Sequence, residues 1–402
     1  MTRAIVELAI GAAIAATLTT TWLVVGYRVP SGSMAPAVLG VHRRVACADC
    51  GLPLAIGGGA EDQLPSLGAR AICPNCGGAT PIDDLPNCAG DRLIAWPSAY
   101  LLRPPRRWQM TLCRDPDDAT RTLLKRVVGL PGETIELRGG DALVNGEIAR
   151  KPLDVAQRLT ALVHDSRYMA PGREAWRPDT SPSGWTIRAA SWQFAPRRAA
   201  SDFDWLSFVR PIDNTLSYNC GAPLVDKHAV DDWIVELDIA SLRGDLAVEL
   251  SSPRGALQIE LLRQQQKVEL ISDGKLIASH SLAAVPRRMV AANIDRQAIC
   301  ELDGKLLIQQ PIENKVQSDQ AARIAIGARG GEVSLARVRI ARDIHYLQPR
   351  GAVAAIYSLG KDEYLLLGDN PALSHDSRYW RRPGIAGDQL LGAPIWVFRR
   401  GE

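Results

Sequence analysis

Two hydroxyl side chains near the start of this sequence have the residue type needed for nucleophilic chemistry. Ser31 and Ser33 flank a glycine in the stretch PSGSM, directly after an apolar amino-terminal segment. A serine hydroxyl becomes an effective nucleophile only when a nearby base removes its proton. Taken alone, PSGSM is typical of a turn, because proline stiffens the backbone and glycine loosens it. The choice between a turn and a nucleophile therefore depends on finding a base.

Lys125 is the candidate base. It lies in TLLKRVVGLPGE, between a pair of leucines and a pair of valines. Burial among such side chains lowers a lysine pKa from about 10.4 toward roughly 7 to 8, where the neutral amine can accept a proton. The alternative is a solvent-exposed lysine on an edge strand. His375 is a weaker candidate, because its neighbour Asp376 points from the adjacent backbone position and cannot easily orient the same imidazole.

Four cysteines form two Cys-x-x-Cys pairs, each followed by glycine: Cys47 with Cys50, and Cys73 with Cys76. Four thiolates on two such turns suit a tetrahedral zinc ion, although the 22 residues between the pairs exceed the usual ~15 to 20. We predict a zinc-ribbon-like segment. Two disulfides, or a ribbon without metal, are the alternative in an oxidising compartment. The isolated cysteines are predicted to be buried small hydrophobic side chains: Cys88, Cys113, Cys220 and Cys300.

An uncharged segment precedes these residues. It runs for 20 residues from Leu8 to Tyr27, about the length that a helix needs to cross the hydrocarbon core of a bilayer. We predict that residues 1–28 form a single-pass membrane anchor. A cleavable signal peptide is the alternative, because AIA at residues 13–15 resembles a cleavage site. The basic residues on its two sides do not determine its orientation.

Length and composition bound the remaining possibilities. The 402 residues, 46% of them hydrophobic, are enough for two or three folded units with buried cores. The 47 basic and 44 acidic side chains give a formal charge of only +3. A net charge this small gives no support for a nucleic-acid partner.

The elements that must position these residues are predicted to be mainly β. Short apolar runs separated by Pro, Gly and Asp extend from AGDRLIAW to ALVNGEIARKP. Apolar residues then alternate with period two over residues 175–342, which predicts an antiparallel β-sandwich. Within it, Asp273-Gly274 and Asp303-Gly304 are predicted hairpin turns, because tight turns favour residues that tolerate positive φ.

Three motifs, in order along the chain, resemble those of the type I signal peptidase family: PSGSM, KRVVGLPGE and LLLGDNPALSHDSRYW. The pieces AGDRLIAW, RRWQMTLCRDPDD and ALVNGEIARKP resemble the connecting strands of its β-rich catalytic domain. The resemblance covers residues 1 to about 155 and 343 to 400. The predicted organisation is an anchor (1–28), a first catalytic part (29–155) containing the zinc-ribbon-like insertion (46–80), an inserted β-sandwich (175–342) and a second catalytic part (343–402).

The resemblance also implies roles for individual residues. Ser33 matches the serine that forms the acyl-enzyme, and Lys125 matches the general base. Ser31 matches the serine whose hydroxyl, with the backbone amide of the nucleophile, forms the oxyanion hole, and Ser374 matches a serine that hydrogen-bonds the lysine. A supporting motif with an Asp to Arg pair matches Gly368, Asp369, Asp376 and Arg378. Pro371 departs from the pattern, since many members carry a basic residue there.

The implied function is that of a membrane-bound serine endopeptidase that removes signal peptides from exported preproteins. It would need no catalytic cofactor and would act at a bacterial cytoplasmic membrane, with its catalytic domain on the extracytoplasmic side and signal peptides and the lipid bilayer as partners. The sandwich resembles the concanavalin-like lectin and laminin-G group in architecture alone; a structural cap or docking surface is favoured over sugar binding, and its ligand is unknown. The alternative function is a catalytically silent, membrane-anchored, glycan-binding surface protein.

Overall fold

The computed structural model describes residues 2–18, 24–58, 70–82, 85–188, 191–196, 201–219, 227–312, 322–348 and 356–399. The chain is mainly β, as predicted. The described α-helices are α1 (Thr2–Leu18), α2 (Ala99–Leu102) and α3 (Leu153–Arg158). The described 3₁₀ turns span Gly32–Met34, Ser217–Asn219 and Gly387–Gln389.

The described strands follow in chain order. Before residue 97 lie β1 (Val25–Arg28), β2 (His42–Ala46), β3 (Pro53–Gly57), β4 (Arg70–Ile72), β5 (Ala79–Pro81), β6 (Asn87–Cys88) and β7 (Arg92–Trp96). The next are β8 (Met110–Arg114), β9 (Thr122–Gly129), β10 (Thr134–Arg138), β11 (Asp141–Val144), β12 (Glu147–Ile148) and β13 (Thr160–Asp165).

The central part of the chain contains β14 (Trp176–Pro178), β15 (Trp185–Arg188), β16 (Ser191–Phe194), β17 (Asp204–Phe208), β18 (Trp233–Leu242), β19 (Asp245–Ser252), β20 (Gly255–Leu262), β21 (Lys267–Ser272), β22 (Lys275–Ser281), β23 (Arg288–Ile294), β24 (Gln297–Leu302), β25 (Lys305–Pro311), β26 (Arg323–Arg329) and β27 (Val333–Asp343). The last strands are β28 (Ile356–Ser358), β29 (Glu363–Leu367), β30 (Gly384–Ala386) and β31 (Leu390–Phe398).

The amino-terminal segment differs from its prediction. Helix α1 ends at Leu18, and Val25–Arg28 pair antiparallel with β7, so the predicted helix through Tyr27 is wrong at its end. Valine and tyrosine favour strands, Gly26 disfavours a helix, and β7 offers partners for the backbone of this segment. Residues 19–23 lie outside the described residues. Within the described part of the chain, no helix is both long enough and apolar enough to span a bilayer.

A seven-stranded antiparallel sheet, which we call the site sheet, joins the two ends of the chain. Its order is β1-β7-β31-β8-β9-β29-β30. Strands β29 to β31 follow the long central part, yet β29 pairs with β9 and β31 lies between β7 and β8. A four-stranded sheet, β12-β11-β10-β28, likewise combines early and late strands. Chain segments on both sides of the central part therefore complete the same sheets.

The central part forms two facing sheets. One has the order β15-β16-β27-β18-β23-β24-β25, with β13 also paired to β27, and the other has the order β14-β17-β26-β19-β20-β21-β22. One apolar core contains inward-facing residues of both sheets, including Val235 from β18, Val248 from β19 and Ile326 from β26. Asp273-Gly274 and Asp303-Gly304 occupy tight hairpin turns with positive φ at both residues, as predicted.

The sandwich sheet begins earlier than the predicted residue 175. Strand β13 at Thr160–Asp165 pairs with β27, and His164 on it lies among the rings of Trp176, Trp192 and Phe208. Helix α3, which precedes β13, packs Leu153 and Ala156 against β23 and β24. The short β13 shows little alternation, so its place in the sheet is set by long-range pairing. The domain boundaries as a whole stay a prediction.

Candidate active site

Ser33 lies in the 3₁₀ turn Gly32–Met34, between β1 and β2. The amide of Ala35 donates to the carbonyl of Gly32 at 3.0 Å and closes the turn. Met34 is fully buried in an apolar cluster with Val29, Val38 and Leu124, whereas Ser33 is half-buried. The buried Met34 side chain therefore anchors the turn in the core, while the neighbouring Ser33 stays partly exposed.

Lys125 lies inside the protein on β9. It is only 2% exposed, and its Nζ donates a hydrogen bond to Ser374 Oγ at 2.9 Å. Burial lowers the pKa of the Lys125 amine below its ordinary value; the Asp376 carboxylate opposes this shift and the Arg378 guanidinium adds to it. Of the two sequence-based alternatives, an exposed edge-strand lysine is therefore wrong: β9 lies between β8 and β29, and the amine is desolvated.

Gly368 is the point at which the predicted site residues meet. A Cβ atom added to this glycine would lie 2.2 Å from Ser374 Oγ and 2.5 Å from the Ser33 carbonyl oxygen. The two serines therefore approach each other across a position that has no room for a side chain. Ser31 Oγ donates to Ser33 Oγ at 3.4 Å. The structure thus brings Ser31, Ser33, Lys125 and Ser374 together from three separate segments of the chain.

Asp376 and Arg378 form a buried ion pair beside this point. Arg378 donates from Nε and Nη2 to the two carboxylate oxygens, each at 2.8 Å, and the Gly368 amide donates to Asp376 Oδ2 at 2.9 Å. Burial would raise the pKa of Asp376, but Arg378 outweighs it and the pKa is lowered. His375 is exposed and stacks on Tyr379, with ring centroids 5.7 Å apart. The Asp376 carboxylate is therefore engaged by Arg378, and the exposed imidazole is not part of the site.

Asp369 belongs to a second buried ion pair that sequence reasoning missed. Arg126 Nε donates to its Oδ1 at 2.6 Å, and Tyr346 OH donates to the same oxygen at 3.2 Å. Arg126 follows Lys125 on β9, so the two side chains lie on opposite faces of the sheet. Lys125 is the candidate base, and Arg126 binds Asp369 of the supporting motif. A charged residue next to Lys125, inside an otherwise apolar run, was the sequence signal that could have indicated a buried ion pair. Pro371, the departure from the family pattern, accepts a hydrogen bond at its carbonyl from Arg378 at 3.1 Å.

Asn370 is a further site residue that was not singled out from the sequence. Its amide N–H donates to the Ser33 carbonyl at 3.0 Å, and its side-chain Nδ2 donates to the Gly32 carbonyl at 3.1 Å. One residue therefore holds the carbonyls of the candidate nucleophile and of the residue before it. The signal was its position inside GDNP, directly after the supporting glycine and aspartate.

The paired cysteines form a second cluster of site residues. The Sγ atoms of Cys47, Cys50, Cys73 and Cys76 all lie within 4.8 Å of one another. Cys47 Sγ is 3.4 Å from Cys76 Sγ, and Cys50 Sγ is 3.6 Å from Cys73 Sγ. These distances are far above the ~2.05 Å of a disulfide and close to the roughly 3.8 Å between sulfurs around tetrahedral zinc.

The two cysteine turns have the same backbone geometry. In each, the glycine after the second cysteine donates to the carbonyl of the first at 2.8 Å, from Gly51 to Cys47 and from Gly77 to Cys73, and both glycines have positive φ. Gly78 N–H also points at Cys76 Sγ from 3.4 Å. The donor set and its spacing therefore fit a structural metal ion. Of the isolated cysteines, Cys113 and Cys300 are buried as predicted and Cys88 is only half-buried. Cys220 lies outside the described residues.

A large cleft opens next to the Ser33 turn. Its volume is about 1190 Å³, and its lining includes Pro36, Ala37, Met110 and Ile395, although not Ser33 or Lys125 themselves. Large apolar side chains are exposed on α2 and β31, whose Leu102 and Ile395 line this cleft: Leu101 at 74%, Leu102 at 71%, Ile395 at 54%, Trp396 at 62% and Phe398 at 46%. An exposed apolar group of this kind marks an interaction surface.

Comparison with known proteins gives a partial match. Residues 83–177 match the family described as signal peptidase, peptidase S26. Signal peptidase I from Leptolyngbya laminosa is 31% identical over 101 residues, covering 23% of this chain and 42% of the relative. This chain therefore spans less than half the length of that curated relative. The two comparisons support a signal peptidase family, and the family match at residues 83–177 contains Lys125 but neither Ser33 nor Ser374.

The comparison with solved structures gives matches of low sequence identity and low TM-score. A carbohydrate binding module from Bacillus subtilis is 13% identical, with 40% of this chain and 91% of that chain covered and a TM-score of 0.28. A protein with a galectin-like fold from Bacillus subtilis is 10% identical, with 46% and 96% covered and a TM-score of 0.33.

Proposed function

We propose that this protein is a membrane-bound serine endopeptidase that removes amino-terminal signal peptides from exported preproteins. The observation that carries the proposal is a desolvated lysine held by a serine beside a second serine on a tight turn. A lysine whose pKa is lowered by burial is neutral at a lower pH and can act as a general base. The family similarity of residues 83–177 supports the same class of reaction.

In the proposed mechanism, Lys125 accepts the hydroxyl proton of Ser33 as Ser33 Oγ attacks the scissile carbonyl. Ser374, 2.9 Å from the amine, keeps the lysine aimed at the turn. The Ser31 hydroxyl and the Ser33 amide stabilise the oxyanion, a contribution of about 3 kcal/mol for each well-placed donor. Lys125 then returns the proton to the leaving amine. A water molecule hydrolyses the resulting ester by the same route and frees Ser33.

The proposal predicts a rising pH profile. The cleavage rate should be low where Lys125 is protonated and should rise to a plateau as pH increases through its pKa, because only the neutral amine accepts a proton. Since burial lowers that pKa, the midpoint should lie below the ordinary lysine value. Initial rates in detergent micelles over a pH series give the midpoint. A rate that falls as pH rises through this range would contradict a lysine base.

Membrane attachment belongs to the same proposal. The apolar segment at the amino terminus would anchor the chain in a bacterial cytoplasmic membrane, with the catalytic domain on the extracytoplasmic side. Leu101, Leu102, Trp396 and Phe398 are exposed and would lie against the lipid surface, where tryptophan is favoured. The scissile bond would then be presented at the membrane surface, with small side chains one and three positions before the cut, as in the family.

The cysteine cluster is proposed to hold one structural zinc ion through Cys47, Cys50, Cys73 and Cys76. The purified chain should contain about one zinc per molecule by elemental analysis. A Cys73→Ser variant should lose the zinc and melt several degrees lower, because metal binding contributes to folding of this segment. Cys300→Ser is the matched control and should retain the metal. Wild-type protein without zinc and with oxidised Cys47 and Cys73 would favour the disulfide alternative.

The alternative function, a catalytically silent glycan-binding protein, concerns the inserted sandwich. Nothing in the described residues identifies a sugar site on it, whereas the buried Lys125 amine, bonded to Ser374, supports the endopeptidase proposal. The two functions are separated by one experiment, the incubation of a preprotein with the full chain in detergent micelles. The endopeptidase proposal expects two defined fragments, and the silent protein would leave the preprotein intact.

A further inference from the structure

A short segment of the inserted β-sandwich contacts the Ser33 turn. The 3₁₀ turn Ser217–Asn219 lies between β17 and β18 in the chain, and Tyr218 and Asn219 are both buried. The segment is fixed at its base, because Leu216 packs in the apolar core next to the site sheet and the Thr215 carbonyl accepts a hydrogen bond from Arg342 at 3.0 Å. The insertion therefore presents two rigidly held side chains to the candidate active site.

Tyr218 covers the backbone of the nucleophile turn. A Cβ atom added to Gly32 would lie 2.0 Å from its Cε1, and one added to Gly57 would lie 2.8 Å from the same atom. The ring is therefore wedged between two glycines, one of which directly precedes Ser33. Its hydroxyl donates to the Val41 carbonyl at 3.0 Å. Only glycine at position 32 leaves room for this ring, so close packing of the insertion on the turn requires Gly32.

Asn219 forms hydrogen bonds with Asn370, whose side chain binds the Ser33 turn. Its Nδ2 donates to Asn370 Oδ1 at 2.8 Å, and Asn370 Nδ2 donates to Asn219 Oδ1 at 2.7 Å. Asn370 Nδ2 uses its second hydrogen for the Gly32 carbonyl. Both hydrogens and the oxygen of the Asn370 amide thus have partners, and the Gly32 carbonyl, which can only accept, requires Nδ2 on that side.

We propose that Tyr218 and Asn219 are positioning residues, contributed by the inserted sandwich, that hold the Ser33 turn in register with Lys125. The inference rests on the proposed peptidase function and gives the insertion a part in it. Asn219 acts through Asn370, which fixes the carbonyls of Gly32 and Ser33. Tyr218 acts by packing on Gly32. Neither residue needs to touch the substrate.

The inference predicts a selective loss of turnover. Asn219→Ala and the near-isosteric Asn219→Asp should lower kcat about 10- to 100-fold and leave KM within about twofold, because a displaced hydroxyl reacts slowly although substrate still binds. An Asn219→Ala, Asn370→Ala double variant should be no slower than Asn370→Ala, since both changes break the same chain of hydrogen bonds. Gln193→Ala, which removes an exposed amide of the same insertion, is the control and should match wild type.

Hydrogen exchange supplies a readout that does not depend on cleavage. The Ala35 and Asn370 amides, which donate to the Gly32 and Ser33 carbonyls, should exchange roughly tenfold faster in Asn219→Asp than in wild type. Unchanged kcat and unchanged exchange, or fully additive effects in the double variant, would overturn the positioning role and leave the peptidase function intact. Faster exchange in a protein whose wild type cleaves no preprotein would instead support the positioning contact and refute the proposed function.

Discussion

A Lys125→Met variant should cleave a preprotein roughly 10³-fold more slowly than wild type, or worse. Methionine keeps the length of the side chain and removes the amine that accepts the Ser33 proton. The melting temperature should stay the same or rise, because a buried amine is costly to desolvate and methionine is not. The two measurements are initial cleavage rates in detergent micelles and thermal unfolding of the same preparations.

Lys361→Met is the matched control for this experiment. Lys361 is exposed, so its replacement should change neither the rate nor the melting temperature. A slow Lys125→Met variant that also unfolds at a lower temperature would indicate lost structure. A Lys125→Met variant with the wild-type rate would remove the proposed base altogether.

Arg378→Met should cause the largest loss of stability. The arginine is 1% exposed and binds both oxygens of Asp376 as well as the carbonyls of Leu347 and Pro371, each at 3.1 Å. Its removal leaves a buried carboxylate unpaired, which costs about 3 to 5 kcal/mol of the free energy of unfolding. Denaturant unfolding followed by tryptophan fluorescence measures the difference.

The pH dependence of this loss gives a further check. The pKa of Asp376 is lowered in the folded protein, so the pair stabilises above the ordinary Asp pKa of about 3.9, and this stability is lost as pH falls through the lowered value. The difference between wild type and Arg378→Met should therefore be largest near neutral pH and shrink in acid. Arg138→Met, which breaks an exposed pair with Glu136, should cost less than about 1 kcal/mol. Equal losses for the two variants would contradict a structural role for the buried pair.

The sequence was informative where chemistry and local pattern coincide. Ser33, Lys125 and Ser374 belong to three short motifs; in the structure Ser374 accepts a hydrogen bond from Lys125 and lies across Gly368 from the Ser33 carbonyl. Their catalytic roles stay a prediction. The period-two alternation of the central part and its Asp-Gly turns are local signals, and the strands and hairpins followed them.

The contacts that could not be predicted join residues far apart in the sequence. Most of them involve uncharged side chains or ion pairs. Nothing near Asn219 indicates that its amide meets Asn370, because the two lie in different parts of the chain and amides are common in turns. The pairing of Arg126 with Asp369 required knowing that β9 and β29 are adjacent. The strand Val25–Arg28 was missed because a short uncharged run is compatible with either a helix or a strand, and pairing with β7 decides between them.

The measurement that tests the central claim most directly is the mass of the fragments released from a preprotein by wild type and by Ser33→Ala. The proposal predicts that the wild type releases an intact signal peptide and the mature protein, cut after a small side chain. Ser358→Ala, which changes an exposed serine, should do the same. Ser33→Ala should release neither fragment. The same two fragments formed by Ser33→Ala at the wild-type rate would contradict Ser33 as the nucleophile and the mechanism built on it.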